Sequence, residues 1–149
     1  MNHLDAFSHR FADILFDALP AWRAYARYDD TEGVPAGTIY LIIPHPDDTK
    51  RLYIWTEDEE VTVGWCGWHT HFGRWLGISD EEAYQQAMSM IHDILSETVV
   101  VVMYFDHDGN VRGGWVCPVT EAYAYQKEHP GVRVCIRSWR GFYDRRLES

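Results

Sequence analysis

The sequence predicts a single α+β domain spanning residues 1–149. Its expected form is an antiparallel sheet of about six strands with two amphipathic helices on one face, ordered α-β-β-β-α-β-β-β. Three observations predict it. Apolar residues recur at helical spacing in two segments, strand-like runs lie between and after them, and the links between those runs are short. Links of that length suit hairpins rather than the crossovers that parallel strands need.

Leu4, Phe7, Phe11, Ile14, Leu15 and Leu19 form one apolar stripe, which predicts the first helix. Pro20 ends or restarts it, Trp22, Tyr25 and Tyr28 continue it for a turn or two, and 29–37 (DDTEGVPAG) reads as a loop. Three strands follow at 38–44, 51–56 and 60–68, separated by the turns HPDDTK and EDE. Ser79 and Glu82 make a capping box that opens the second helix, with Tyr84, Ala87, Met88, Ile91, Ile94 and Leu95 on its apolar face. The run 98–105 (TVVVVMYF) is apolar on both faces, as a central strand is. A DHDGN turn leads to a strand at 111–117, and a loop at 118–131 precedes a strand at 132–139. In the last strand Val132, Val134 and Ile136 alternate with Arg133, Cys135 and Arg137. Tyr53 and Trp55 point away from Leu52 and Ile54, so they line either an open sheet face or the underside of the 118–131 loop.

Composition narrows the function classes. Seven Trp, nine Tyr and six Phe exceed what a core of this size uses, so some rings should line a pocket or contact surface. An odd count of three cysteines (Cys66, Cys117 and Cys135), with no C-x-x-C and no leader, predicts reduced thiols and a cytoplasmic setting. The longest apolar run, 99–105, falls far short of the ~20 residues that span a bilayer, so no membrane role is expected. Residues 1–100 carry 17 acidic and 6 basic side chains, against 6 and 7 in residues 101–149. The acid is clustered at Asp29-Asp30-Glu32, Asp47-Asp48, 57–60 (EDEE) and 80–82 (DEE). Such a surface repels phosphate backbones, which argues against nucleic acid, and it steers a basic protein partner inward.

Several strings could carry chemistry. His69 and His71, two residues apart at a strand end, project to one face and could share a metal ion. With Ser79 and Glu82 they complete His-x-His-x7-Ser-x-x-acid, which resembles the motif of JAMM-type metalloisopeptidases. That resemblance implies zinc on His69, His71 and Glu82, an oxyanion contact from Ser79, and an upstream glutamate such as Glu32 as general base. The sequence departs from the motif in having Phe72 where proline is expected and Glu82 where aspartate is expected, and the capping box already accounts for Ser79 and Glu82. His45-Pro46-Asp47-Asp48 resembles the zinc-binding string of PIG-L-type de-N-acetylases, but it also reads as a plain turn. Cys66, read as mid-strand, is expected to be core packing, as are Cys117 and Cys135. Asp106-His107-Asp108 is first a hairpin turn. In 138–146 (SWRGFYDRR), Trp139 and Arg140 stand among aromatics and arginines that could stack a ligand or close the sheet edge.

The VTVGW-x-x-WHTHF run, the following helix, the VVVV strand and the terminal SWRGFYD resemble small bacterial proteins, some found in toxin-immunity gene sets. The resemblance covers roughly residues 50–146. It implies a cytosolic protein whose acidic surface blocks a basic toxin domain, and it assigns no functional residue. Two classes therefore stand. One is a non-enzymatic binding protein without a cofactor, using Asp58, Glu59 and Glu60 with Tyr53, Trp55, Trp139 and Arg140 toward a basic protein. The other is a metal-dependent hydrolase centred on His69 and His71. An aromatic-rich open face also admits a homodimer.

Overall fold

Asp5 accepts the backbone N–H of Ser8 at 2.7 Å and so caps helix α1 (Ala6–Ala18). In this computed structural model the described residues are 4–28, 33–128 and 133–147, and they fall into two compact units, Met1–Met90 and Ile91–Ser149. In α1 the buried stripe is Phe7, Ser8, Phe11, Ala12, Leu15 and Phe16. Leu4, Ile14 and Leu19 sit at its margin.

The first unit is a five-stranded antiparallel meander: β1 (Ala26–Tyr28), β2 (Ile39–Ile43), β3 (Leu52–Glu57), β4 (Glu60–Trp65) and β5 (Trp68–Gly73), each paired with the next. Alternation sorts β2 and β3 into an inner and an outer face, while β4 is buried on both. Ile39, Leu41, Ile43, Leu52, Ile54, Val61 and Val63 are buried on the inner face, while Tyr40, Ile42, Tyr53 and Trp55 lie half-buried on the outer one. A buried pair of hydroxyls, Ser8 Oγ and Thr56 Oγ1 at 2.6 Å, joins α1 to β3, and Thr56 Oγ1 also accepts the N–H of Ile39. Helix α2 (Asp80–Ser96) runs across the division between the units. Its capping box is formed as expected: Ser79 N donates to Glu82 at 2.8 Å, and Glu82 N donates to Ser79 Oγ at 3.3 Å.

The second unit holds β6 (Val99–Phe105), β7 (Val111–Pro118), α3 (Val119–Glu128), β8 (Arg133–Arg137) and β9 (Arg145–Leu147), with sheet order β7-β6-β8-β9, all antiparallel. Val100, Val102, Cys117, Ala122, Val134 and Ile136 form its core, with Trp115 and Val119 against them. The end of α2 is closed by Thr98 N bonding to the carbonyl of Asp93 and Glu97 N to that of Ile94. Glycine usually fills that left-handed position. Here it is Glu97, at φ 59°, and its buried carboxylate accepts the backbone N–H of Arg140 at 2.7 Å. The segment 138–144 is fixed further by Ser138 N to Asp144 Oδ1 at 2.8 Å and Tyr143 N to Ser138 Oγ at 3.0 Å.

The α+β class and the antiparallel pairing agree with the sequence; the single sheet of about six strands does not. Among the described residues there are nine strands in two sheets, and three α-helices. Residues 60–68 do not form one strand, because Cys66 and Gly67 take φ of 52° and 78° and reverse the chain between β4 and β5. Cys66 is therefore a buried turn residue rather than a mid-strand one. Residues 20–25 are a 3₁₀ helix, and Ala26–Tyr28 pairs as an edge strand instead of prolonging α1. The expected 118–131 loop contains α3, whose single buried contact in its first turns, Ala122, gives almost no periodic signal. The 132–139 strand is Arg133–Arg137, in which Val134, Cys135 and Ile136 are all buried; Val132 lies outside the described residues. All three cysteines are buried thiols.

Tyr84 of α2 packs its ring 4.8 Å from that of Phe7, and its hydroxyl donates to the Phe7 carbonyl at 3.2 Å. Burial, with smaller contributions from Asp80, Asp5 and Glu81, pushes its pKa from 10.0 up to about 12. A raised folded-state value means the unfolded chain ionises first. This contribution is therefore intact below pH 10 and is lost as the pH rises toward 12. Tyr84→Phe should lower stability at neutral pH by about 1 kcal/mol. It should also flatten the alkaline decline across that window, read as urea midpoints against pH.

Candidate functional site

The outer face of the first sheet is built in cross-strand rows. The middle row runs Arg27, Tyr40, Trp55, Thr62 and His71, one residue from each of β1 to β5. Beside it on one side lie Ile42, Tyr53, Gly64 and His69, and on the other Glu57 and Glu60 at the β3–β4 turn. Register alone brings the aromatic residues, both histidines and the carboxylates to one surface.

Tyr53, Trp55, Tyr40, Gly64, Trp68 and His69 line a shallow cavity of about 270 Å³. The Trp55 ring lies over Gly64, with Cζ3 3.6 Å from where a β-carbon would stand, so the missing side chain makes the floor. The Tyr40 and Trp55 rings are tilted at 44° with centroids 6.1 Å apart. Burial, and then Tyr53, push the Tyr40 phenol above its ordinary pKa, while Arg27 pulls the other way.

His69 and His71 do project to the same face, with their rings edge to face and centroids 5.0 Å apart. Nδ1 of His71 lies 2.5 Å from Glu60 Oε1 and 2.9 Å from Thr62 Oγ1. A carboxylate at Nδ1 favours the tautomer with the proton on that nitrogen. Glu82, the third expected metal ligand, instead serves the α2 cap, where the Ser79 N–H and hydroxyl hold its carboxyl below the usual range. Among the described residues no group of three or more His, Cys, Asp or Glu side chains is arranged to hold an ion. Glu32 lies outside the described residues.

The HPDD string forms a turn: the Asp47 N–H donates to His45 Nδ1 at 2.9 Å, Asp47 Oδ1 accepts the Thr49 N–H, and Asp48 pairs with Arg51 at 2.9 Å. Asp106 likewise closes its own turn, accepting the N–H groups of Asp108 and Asn110 and the Arg112 guanidinium. The Asn110 bonds lead in holding its carboxyl below the usual range. Trp139 and Arg140 belong to the second unit, apart in the chain from the first-sheet set. Tyr40, Gly64 and Trp68 were absent from the expected site. Recognising Cys66-Gly67 as a two-residue hairpin loop would have put His69 opposite Gly64 and His71 opposite Thr62.

The acidic turn has a feature that folding does not require. Asp58 and Glu59 adopt φ of 51° and 58°, the paired left-handed conformation for which Asn-Gly is favoured. Arg74 ties Glu59 at 2.6 Å and Asp80 at 2.7 Å, whereas Glu57 and Asp58 have no ion pair among the described residues. Gly73 lets this turn close against β5, since a β-carbon there would stand 3.1 Å from both the Glu59 carbonyl and Glu60 Cβ. No family model, curated protein or solved structure matches the chain.

Replacing Asp58-Glu59 with Asn-Gly should raise stability by about 1 kcal/mol by relieving the backbone. The exposed Arg74 pair lost with Glu59 contributes little against that. A higher urea midpoint at unchanged slope is the expected observation.

Proposed function

We propose that the protein is a non-enzymatic, cytoplasmic binding protein of the immunity or inhibitor type, and that the outer face of its first sheet receives a basic protein partner. The observation that carries this reading is the row of rings at Tyr40 and Trp55 beside the acidic β3–β4 turn. Aromatic faces attract a guanidinium or ammonium within about 6 Å of the ring centroid, and carboxylates one row away complete the counter-charge. Asp58 and Glu59 sit where the backbone prefers other residues, so selection for acid at this position is a sufficient reason for their presence. Met1–Met90 carries 15 acidic and 6 basic side chains, a field that raises the encounter rate with a cationic partner more than it raises affinity. Affinity would then come from the rings. Buried thiols without disulfides accord with a reducing compartment.

An oligo-arginine peptide is a direct probe, with Trp55→Ala set against Asp13→Asn, which removes one charge from α1. Calorimetric titration should show Trp55→Ala weakening binding about tenfold and Asp13→Asn less than about twofold. A loss below about twofold in Trp55→Ala would remove the proposed site. Zinc at one equivalent in untagged protein, lost with His71→Ala, would instead move the assignment to a metal-dependent hydrolase.

A further inference from the structure

The second sheet gathers arginine on one face in a chain whose net charge is −10. Arg133, Cys135 and Arg137 alternate along β8 toward that face, Arg146 of β9 stands opposite Cys135, and Phe105 of β6 stands opposite Arg133. A cavity of about 280 Å³ opens between them, lined by Phe105, Gly109, Arg133, Val134, Cys135 and Arg146. A second, of about 310 Å³, shares Cys135 and Arg146 and continues past Arg137.

The arginines are not equivalent. Arg137 is paired with Asp144 at 3.2 Å, and Arg145 donates to the Asp144 carbonyl at 2.6 Å. Arg133 and Arg146 have no carboxylate partner among the described residues, although the chain has 23 acidic side chains to offer. The turn between β6 and β7 makes room for one of them: Arg133 Nη1 lies 3.4 Å from where a β-carbon on Gly109 would stand. Diagonal cross-strand neighbours of this kind are about 7–8 Å apart, close enough for one ligand to bridge two long side chains. Two cations on one concave wall repel each other, and an oxyanion between them reverses the sign of that interaction. Guanidinium forks match phosphoryl oxygens in geometry as well as charge.

We propose that this cavity binds a small phosphorylated molecule, its phosphoryl group held between Arg133 and Arg146 and its apolar part against the half-buried Phe105. The acidic remainder of the chain opposes a long phosphate backbone, so the ligand is small rather than a nucleic acid. This site is independent of the surface proposed on the first sheet.

Pyrophosphate is the probe, titrated calorimetrically into the full chain against sodium chloride of equal ionic strength. Saturable binding is expected, weakened about tenfold or more by Arg133→Gln and by Arg146→Gln. Arg51→Gln, at an arginine already paired with Asp48, should change it less than about twofold. Arg133→Lys keeps the charge and loses the fork, and should fall between wild type and Arg133→Gln. Circular dichroism on each variant separates loss of the site from loss of the fold. No heat beyond that of sodium chloride would overturn the proposal. So would equal weakening in Arg51→Gln, or tight binding of a single-stranded oligonucleotide by protein that ignores pyrophosphate.

Discussion

The register of β3, β4 and β5 is held by two loops of two residues each, Asp58-Glu59 and Cys66-Gly67, all four residues with left-handed backbone. Loops this short leave no slack. A slip of one residue would turn Val61 and Val63 outward and bring Thr62 and Gly64 inward, exchanging the whole apolar set for the polar one. The inner face against which α1 is tied through Ser8 and Thr56 depends on that register, and so does every row of the outer face. Neighbours such as Trp55, Thr62 and His71 are distant in sequence and adjacent only because both turns are tight.

The two units handle polar chemistry in different ways. In the first, carboxylates outnumber cations and those near the β3–β4 turn are partly engaged: Glu59 and Asp80 by Arg74, and Glu60 by His71. In the second, charge is nearly balanced, and the acidic groups named above serve backbone and other arginines: Glu97 holds Arg140 N, Asp144 holds Ser138 N and Arg137, and Asp106 closes the β6–β7 turn and pairs with Arg112. That use leaves Arg133 and Arg146 without acidic partners among the described residues. The two proposed surfaces thus follow from one asymmetry in where the carboxylates are committed.

Much of this was legible in the sequence, and the failures have identifiable causes. The Ser79–Glu82 box, the stripe of α1 and the apolar pair Val134 and Ile136 depend on local spacing, and all three appear in the structure, the last two residues buried. The β4–β5 hairpin was hidden because Cys is an unusual first residue for a two-residue loop, so WCGW read as continuous strand. α3 was hidden because among the described side chains at 119–124 a lone buried alanine, Ala122, does not make a periodicity. Tyr53 and Trp55 were legible as a pair sharing a face, but Tyr40 and Gly64 join them only through pairing across strands. The arginine cavity needed β9 to be placed against β8, and three residues of strand leave almost no pattern.

The surface proposed to receive a cationic partner is the ring row beside the acidic turn, rather than diffuse negative charge. Trp75 is a built-in comparison, since it lies in the same unit, is 66% exposed and stands outside the row. Two-dimensional NMR of the indole N–H groups, followed as an oligo-arginine peptide is added, reads both residues in one experiment. The Trp55 indole should shift in a saturable way while that of Trp75 stays in place. Movement of Trp75 with Trp55 unchanged would contradict it.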